Sequence, residues 1–417
     1  MRQEIRVPAF VKTRLGAMMF LEYVVWGSWY VTITTYLTST LHFSGTQAGA
    51  VFGTASVASL VSPFFVGLVA DRFFATERVM AVLYVLGAIC MFALTKVTTF
   101  ASVYALVLAF CLCYFPTIAL TNSITMQQVT SPGRDFPPIR VMGTIGWIVI
   151  QNIVGFMRVE ATTTPFMLAA ASSIVMAIYS LVALPHTPPR AKGQKVTARS
   201  ILGLDALVMM KQRDFAVFVI ASVLACIPLT FYYSFTNPYL NDAGVVNAAN
   251  KMTLAQISEI AMMLLMPVIF RITTVRGILL MGLGAWAVRY GLLAYGDAGA
   301  KMWMFYIAIL LHGVCYDFFF VAGQLYTDQV APPHFRSTAQ GFISFVTYGV
   351  GMLIGSLLSG SALDYFTTRA ADGTLTRNWT SFWLSSATMS FAIMLLVLLF
   401  FRTSVRIGAG QRQAEAA

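Results

Sequence analysis

The stretch PHTPPRAKGQKVTARSILGLDALVMMKQR, residues 185–213, is the longest gap between apolar runs in this chain. It carries six basic residues and the cluster Pro185-His186-Thr187-Pro188-Pro189. Six apolar runs precede it, near 14–38, 46–70, 77–95, 99–127, 137–157 and 164–184. Six follow, near 214–240, 252–272, 276–296, 301–329, 336–363 and 379–401. A bilayer core about 30 Å thick is crossed by a helix of about 20 apolar residues, and each run is of that order. Hydrophobic residues make up 58% of the chain and charged residues 10%, where a soluble domain carries about 25% charged. The expected fold class is an all-α polytopic membrane protein, its twelve transmembrane helices arranged in two six-helix bundles. The bundles are 1–184 and 214–401, the stretch 185–213 is the linker, and 402–417 is a tail. Within the linker, Ser200 to Leu207 reads as a short interfacial helix with Ile201, Leu204 and Leu207 on one face.

Orientation follows from the basic residues. With the N-terminus inside, nineteen Lys and Arg fall in cytoplasmic segments. The outside gaps hold six: Lys96, Arg158, Lys251, Lys301, Arg369 and Arg377. Basic residues accumulate on the cytoplasmic side of membrane proteins, so both termini, the linker and the tail are expected in the cytoplasm. The net charge of +11 is thereby a topology signal, and a nucleic-acid partner is not needed to explain it. The first run is too long for a signal-peptide core and is expected to stay attached.

A charge near the bilayer centre costs at least about 2.5–3.5 kcal/mol, and such residues usually face a cavity or a partner. The candidates are Glu22, Arg140, Glu259, Arg289 and Asp317. Helical spacing places several beside aromatic and polar neighbours. Glu22, Trp26 and Trp29 share one face, and Arg140, Thr144 and Trp147 share another. Thr230 pairs with Tyr233 and Gln256 with Glu259, while Asp317, Phe320 and Gln324 line a fifth face. Aromatics beside hydrogen-bonding groups suit a flat polar solute; polar helix–helix contacts and aromatic core packing are the plainer explanation of any one face. Five such faces on five spans point to a shared central cavity. Counted from Pro137, Arg140 would lie near the cytoplasmic interface, where a snorkelling arginine is unremarkable.

The sequence offers no catalytic constellation, so an enzyme is not expected. The four histidines are scattered, which gives neither a metal site nor a Ser-His-Asp arrangement, and His312 reads as a core residue. No glycine–lysine phosphate loop appears. No cofactor is expected, and ion-driven transport remains. A six-plus-six layout with a basic central loop is what a secondary carrier built from repeated halves shows.

Two resemblances sharpen this. Gly67-Leu-Val-Ala-Asp71-Arg72, with Arg78 six residues on, resembles the gating loop of the major facilitator superfamily. The chain from Trp26 to about Gly341 resembles the nucleoside:proton symporters of that superfamily. The match rests on Trp26-Gly-Ser-Trp29, on Asp135-Phe-Pro-Pro-Ile-Arg140 running into Gly143-Thr144-Ile-Gly146, and on Leu202-Gly-Leu-Asp205. It continues in Gln256-Ile-Ser-Glu259, Ala294-Tyr-Gly-Asp297, Asp317-Phe-Phe319 and Ala339-Gln-Gly341. The resemblance implies a nucleoside site between the two bundles. It assigns Arg140, Thr144 and Trp147 to that site, Gln256 and Glu259 to the ribose or base, and Tyr316 and Asp317 to span ten. It also favours a cavity position for Arg140.

Four positions depart from the family pattern. Thr230 and Tyr233 stand where characterised nucleoside carriers present a glutamine and an asparagine. Trp147 replaces a phenylalanine, and Glu22 stands where a neutral amide is expected. The expectation is proton-coupled nucleoside uptake by alternating access across a cell inner membrane. Asp317, Glu259 and Glu22 are the candidate proton carriers, and Trp26, Trp29, Phe320 and Gln324 line the path. The expected partners are a small-molecule substrate and the lipid bilayer, and the default state is a monomer. A proton-coupled carrier of a sugar or other hydroxylated solute is the alternative, supported by Glu22. A membrane receptor or scaffold that transports nothing is the alternative of another class.

Overall fold

A computed structural model describes residues 8–65, 74–188, 202–371 and 375–406. Gly67, Asp71 and Arg72 of the expected gating loop lie outside them, and Arg78 lies within. The chain forms two compact units. The first comprises Met1–Phe43 and Ala50–Ile201, the second Ser44–Gly49 and Leu202–Ala417.

Twelve rods run in the order the apolar segments predict. The first unit is built from α1 (Ala9–Gly27), α2 (Gly45–Phe65) from Ala50 onward, α3 (Thr76–Leu94), α4 (Phe100–Gln128), α5 (Pro132–Met157) and α6 (Thr164–Val182). The second carries α7 (Arg213–Asp242), α8 (Ala248–Ile272), α9 (Val275–Tyr295), α10 (Met302–Val330), α11 (Arg336–Tyr365) and α12 (Trp379–Phe400). A two-stranded hairpin, β1 (Thr367–Arg369) with β2 (Leu375–Arg377), precedes α12 and pairs Thr367 with Arg377. Among the described residues, eleven helices are long and apolar enough to cross a membrane. The exception is α1, which carries Lys12, Arg14 and Glu22. The run expected over 14–38 breaks after Gly27 and resumes at Ile33. At the break Ser28 Oγ donates to the Val24 carbonyl at 2.6 Å and Thr32 Oγ1 to that of Trp29 at 3.3 Å, beside backbone bonds to the same carbonyls.

Three rod starts are fixed by side chains that accept orphan amides. Thr99 caps α4 through Ser102, Thr274 caps α9 through Gly277, and Asn378 caps α12 through Ser381 at 3.0 Å. Close approach is fixed by glycine. At Gly146 on α5 a Cβ would lie 2.3 Å from the Phe20 carbonyl oxygen of α1, so no larger residue fits that crossing. At Gly313 on α10 it would lie 2.5 Å from the Ser258 carbonyl of α8.

The expected interfacial helix over Ser200–Leu207 lies partly outside the described residues. Residues 200 and 201 lie outside the described stretches, and a 3₁₀ turn occupies Leu204–Lys211. Its buried residues are Ala206 and Met209, while Leu207 is exposed. Threefold winding moves the covered stripe away from the one that α-helical spacing selects.

Candidate functional site

In the first unit, α5 starts at Pro132, with Pro at its N-terminal position, where a missing N–H costs nothing. Pro137 and Pro138 lie inside the helix. Arg140 therefore sits roughly 12 Å along the rod at 1.5 Å per residue, deeper than a count from Pro137 gives. The motif before it has a mechanical role. Asp135 receives Lys12 of α1 at 2.7 Å and Arg134 at 3.4 Å, fastening the start of α5 to α1.

Arg140 bonds the hydroxyl of Tyr23 through Nη2, and its guanidinium carbon lies 4.4 Å from that ring's centroid. Arg140, Thr144 and Trp147 are all half-buried on one face of α5. Trp147 meets Trp26 edge-on at 5.6 Å and Tyr30 at 6.2 Å. Sequence spacing found this face and missed Tyr23, whose signal is its place three residues before Trp26.

The face assigned to Glu22, Trp26 and Trp29 divides. Trp26 borders Trp147. Glu22 is fully buried and its carboxylate accepts from Tyr84 of α3 and from Thr117 of α4 at 2.9 Å. Its own carbonyl accepts from Tyr114 at 2.8 Å. Trp29 is buried against Phe110 at 5.4 Å. Glu22 and Trp29 thus sit among the helices of the first unit.

In the second unit, Gln256 and Glu259 lie half-buried on α8. Tyr316 exchanges a hydroxyl hydrogen bond with Tyr348 of α11 at 2.7 Å. Asp317 is fully buried, and neither carboxylate oxygen has a hydrogen-bond partner among the described residues. It opens a wide π-type turn, Asp317–Val321, matched by a second in α11 at Phe345–Gly351. Such turns recur at functional sites. The turn also separates the expected face: Asp317 and Phe320 are buried, Gln324 is exposed, because the extra residue per turn defeats the i, i+3, i+7 count.

Of the two departures in α7, Thr230 is fully buried. Its hydroxyl donates to the Cys226 carbonyl at 2.7 Å, and it packs against Gly355 of α11. Tyr233 is half-buried and meets the His312 ring at 5.9 Å. Among the described residues, no group of three or more His, Cys, Asp or Glu is placed to hold a metal ion.

The model of the "Nucleoside H+ symporter" family matches residues 10–406. The chain belongs to the nucleoside H+ symporter family. Two Escherichia coli relatives span nearly the whole chain. YegT is 40% identical over 401 residues, covering 94% of each protein, and the xanthosine permease is 31% identical, covering 94% of this chain and 95% of its own. The crystal structure of the nucleoside transporter NupG superposes with a TM-score of 0.86 at 28% identity, over 94% of this chain and 100% of NupG. The symporter described here therefore has the major facilitator superfamily fold and is a multi-pass membrane carrier. It is not an enzyme.

Proposed function

We propose that this symporter imports nucleosides together with protons across a bacterial inner membrane, with both termini in the cytoplasm. The observation that carries the reading is the match to the nucleoside H+ symporter family over residues 10–406. In this reading Arg140, steadied by Tyr23, donates to solute oxygens. Thr144 and Trp147 share its face, the tryptophan offering a ring to stack on a base. Gln256 and Glu259 hold ribose hydroxyls, and Tyr316 packs on the base.

Asp317 leads the proton carriers of this reading, since its two oxygens are buried and without a partner among the described residues, and so open to a proton or a solute donor. Glu259 stands beside it. Glu22 ranks below both, because Tyr84 and Thr117 already occupy its oxygens. That engagement also weakens the sugar alternative, which rested on Glu22. One charge moving inward gains about 2.3 kcal/mol per 100 mV, roughly fiftyfold accumulation at 1.4 kcal/mol per decade. The chain works as a monomer on this view, each copy carrying its own pathway.

The test is uptake of labelled uridine, adenosine and inosine into proteoliposomes, with and without an inward proton gradient. Saturable uptake stimulated by the gradient is expected. Absence of uptake of all three by folded protein would defeat the nucleoside reading. Uptake indifferent to the gradient would defeat the coupling.

A further inference from the structure

Arg289 of α9 is fully buried, and among the described residues no carboxylate pairs with it. Two neighbours contact that charge, while its Nε and Nη2 have no hydrogen-bond partner among the described residues. The guanidinium carbon sits 3.4 Å from the centroid of the Tyr232 ring, a cation over an aromatic face. Nη1 lies 3.0 Å from Nδ1 of His312 on α10.

The second contact fixes more than position. A guanidinium has only donors and keeps its charge, so Nδ1 must be the acceptor. A neutral imidazole whose Nδ1 accepts carries its proton on Nε2. A doubly protonated ring would set N–H against N–H and lose the bond. The ring plane is held as firmly: it lies near-parallel to Tyr232 at 5.4 Å and to Tyr316 at 5.8 Å, and edge-on to Tyr233 at 5.9 Å. Tyr233 and Tyr316 are two of the residues assigned to the solute. His312 therefore belongs to their side of the second unit.

We propose that Arg289 is a positioning residue for solute recognition: it holds His312 in the Nε2–H form, so that this nitrogen donates to an acceptor atom on the solute. In a nucleoside the acceptor is a base carbonyl or an unprotonated ring nitrogen. The inference rests on the nucleoside reading and deepens it. Thr230 spends its hydroxyl on its own helix and Tyr233 carries no carboxamide, so neither of these two positions offers an amide donor to a base edge. His312, one rod away, supplies an N–H in their stead.

The experiment has two separate readouts. The first is counterflow of uridine and inosine, without a proton gradient, through reconstituted wild type, His312→Phe, Arg289→Met and the double variant. His312→Phe is expected to raise KM about tenfold with the maximal rate held, the size of one hydrogen bond at about 1.4 kcal/mol per decade. Arg289→Met is expected to raise KM in the wild-type background and to add nothing beside His312→Phe. A merely structural arginine would act equally in both backgrounds. The second readout is the ¹⁵N spectrum of histidine-labelled protein, with His312 assigned by its loss in His312→Phe. Wild type is expected to show protonated Nε2 and bare Nδ1, and Arg289→Met a mixture of forms.

An unchanged KM in His312→Phe, or a protonated Nδ1 in wild type, would overturn the proposal. Both are read without the Arg289 variant, so they decide even if that variant fails to fold. Failure of wild type to carry either nucleoside would count against the transport reading, and the spectrum would still judge the clamp.

Discussion

Each unit buries an acid inside one of its rods and treats it in the opposite way. Glu22 of the first unit is ringed by donors, with Tyr84 and Thr117 on its oxygens and Tyr114 on its backbone. Asp317 of the second is equally buried, and its oxygens meet no donor among the described residues. The same costly chemistry thus serves two ends. A carboxyl whose bonds are all made is part of the framework, and breaking one of them leaves a buried polar group unsatisfied. A carboxyl without bonds can take up and release a partner without dismantling anything. The arginines repeat the contrast. Arg140 is half-buried and bonds Tyr23, whereas Arg289 is sealed between Tyr232 and His312.

The comparison breaks most sharply at Asp317. Asp317→Asn is expected to abolish gradient-driven accumulation, the roughly fiftyfold that 100 mV supports, while counterflow of unlabelled against labelled uridine persists. Full accumulation by this variant in proteoliposomes would move the coupling to Glu259. Next comes Arg140→Lys, which keeps the charge and loses the planar fork. A KM for uridine raised about ten- to a hundredfold is expected, from loss of charge-assisted bonds of roughly 1.5–3 kcal/mol.

Glu22→Gln should do less to transport and more to stability. Replacing an acceptor oxygen by a donor nitrogen opposite Tyr84 or Thr117 costs about 1–3 kcal/mol, seen as a lowered melting temperature in detergent. Gradient-driven uptake should remain, and its loss would erase the distinction drawn between the two acids. The smallest effect is expected outside the membrane at Asp297. Its carboxylate accepts from the amides of Gly299 at 2.8 Å and Lys301 at 3.1 Å. Those two backbone bonds, that of Lys301 foremost, hold it below its ordinary value of 3.8. A depressed folded value stabilises above the unfolded one and is lost as pH falls through the folded one. Asp297→Asn should therefore leave melting unchanged between pH 5 and 8, apart from a slight uniform offset. It should flatten the decline below about pH 4, which a melting series in acid would show.

The rods were legible because crossing a membrane imposes length and apolarity residue by residue. The Arg140 face was legible for the same local reason, since 140, 144 and 147 lie on one rod. A count from Pro137 understates its place along the rod, because α5 starts five residues earlier at Pro132. Partners across rods were beyond reach. Tyr84 and Thr117 lie 62 and 95 residues from Glu22, and the sequence gives no distance between them. His312 was read as core filler for want of a view of Arg289, 23 residues before it on the neighbouring rod.

The wide turns at Asp317–Val321 and Phe345–Gly351 bear on how such chains are compared with one another. A turn of this kind is the footprint of one inserted residue that the rod absorbed without growing a loop. Everything beyond it is carried round the axis by about 100°, the arc of one residue. A relative that lacks the insertion keeps its rods and its ends but needs a gap inside the helix, where aligners are least willing to place one. Side chains that share a column in a gap-free alignment of α10 or α11 can then point to different sides.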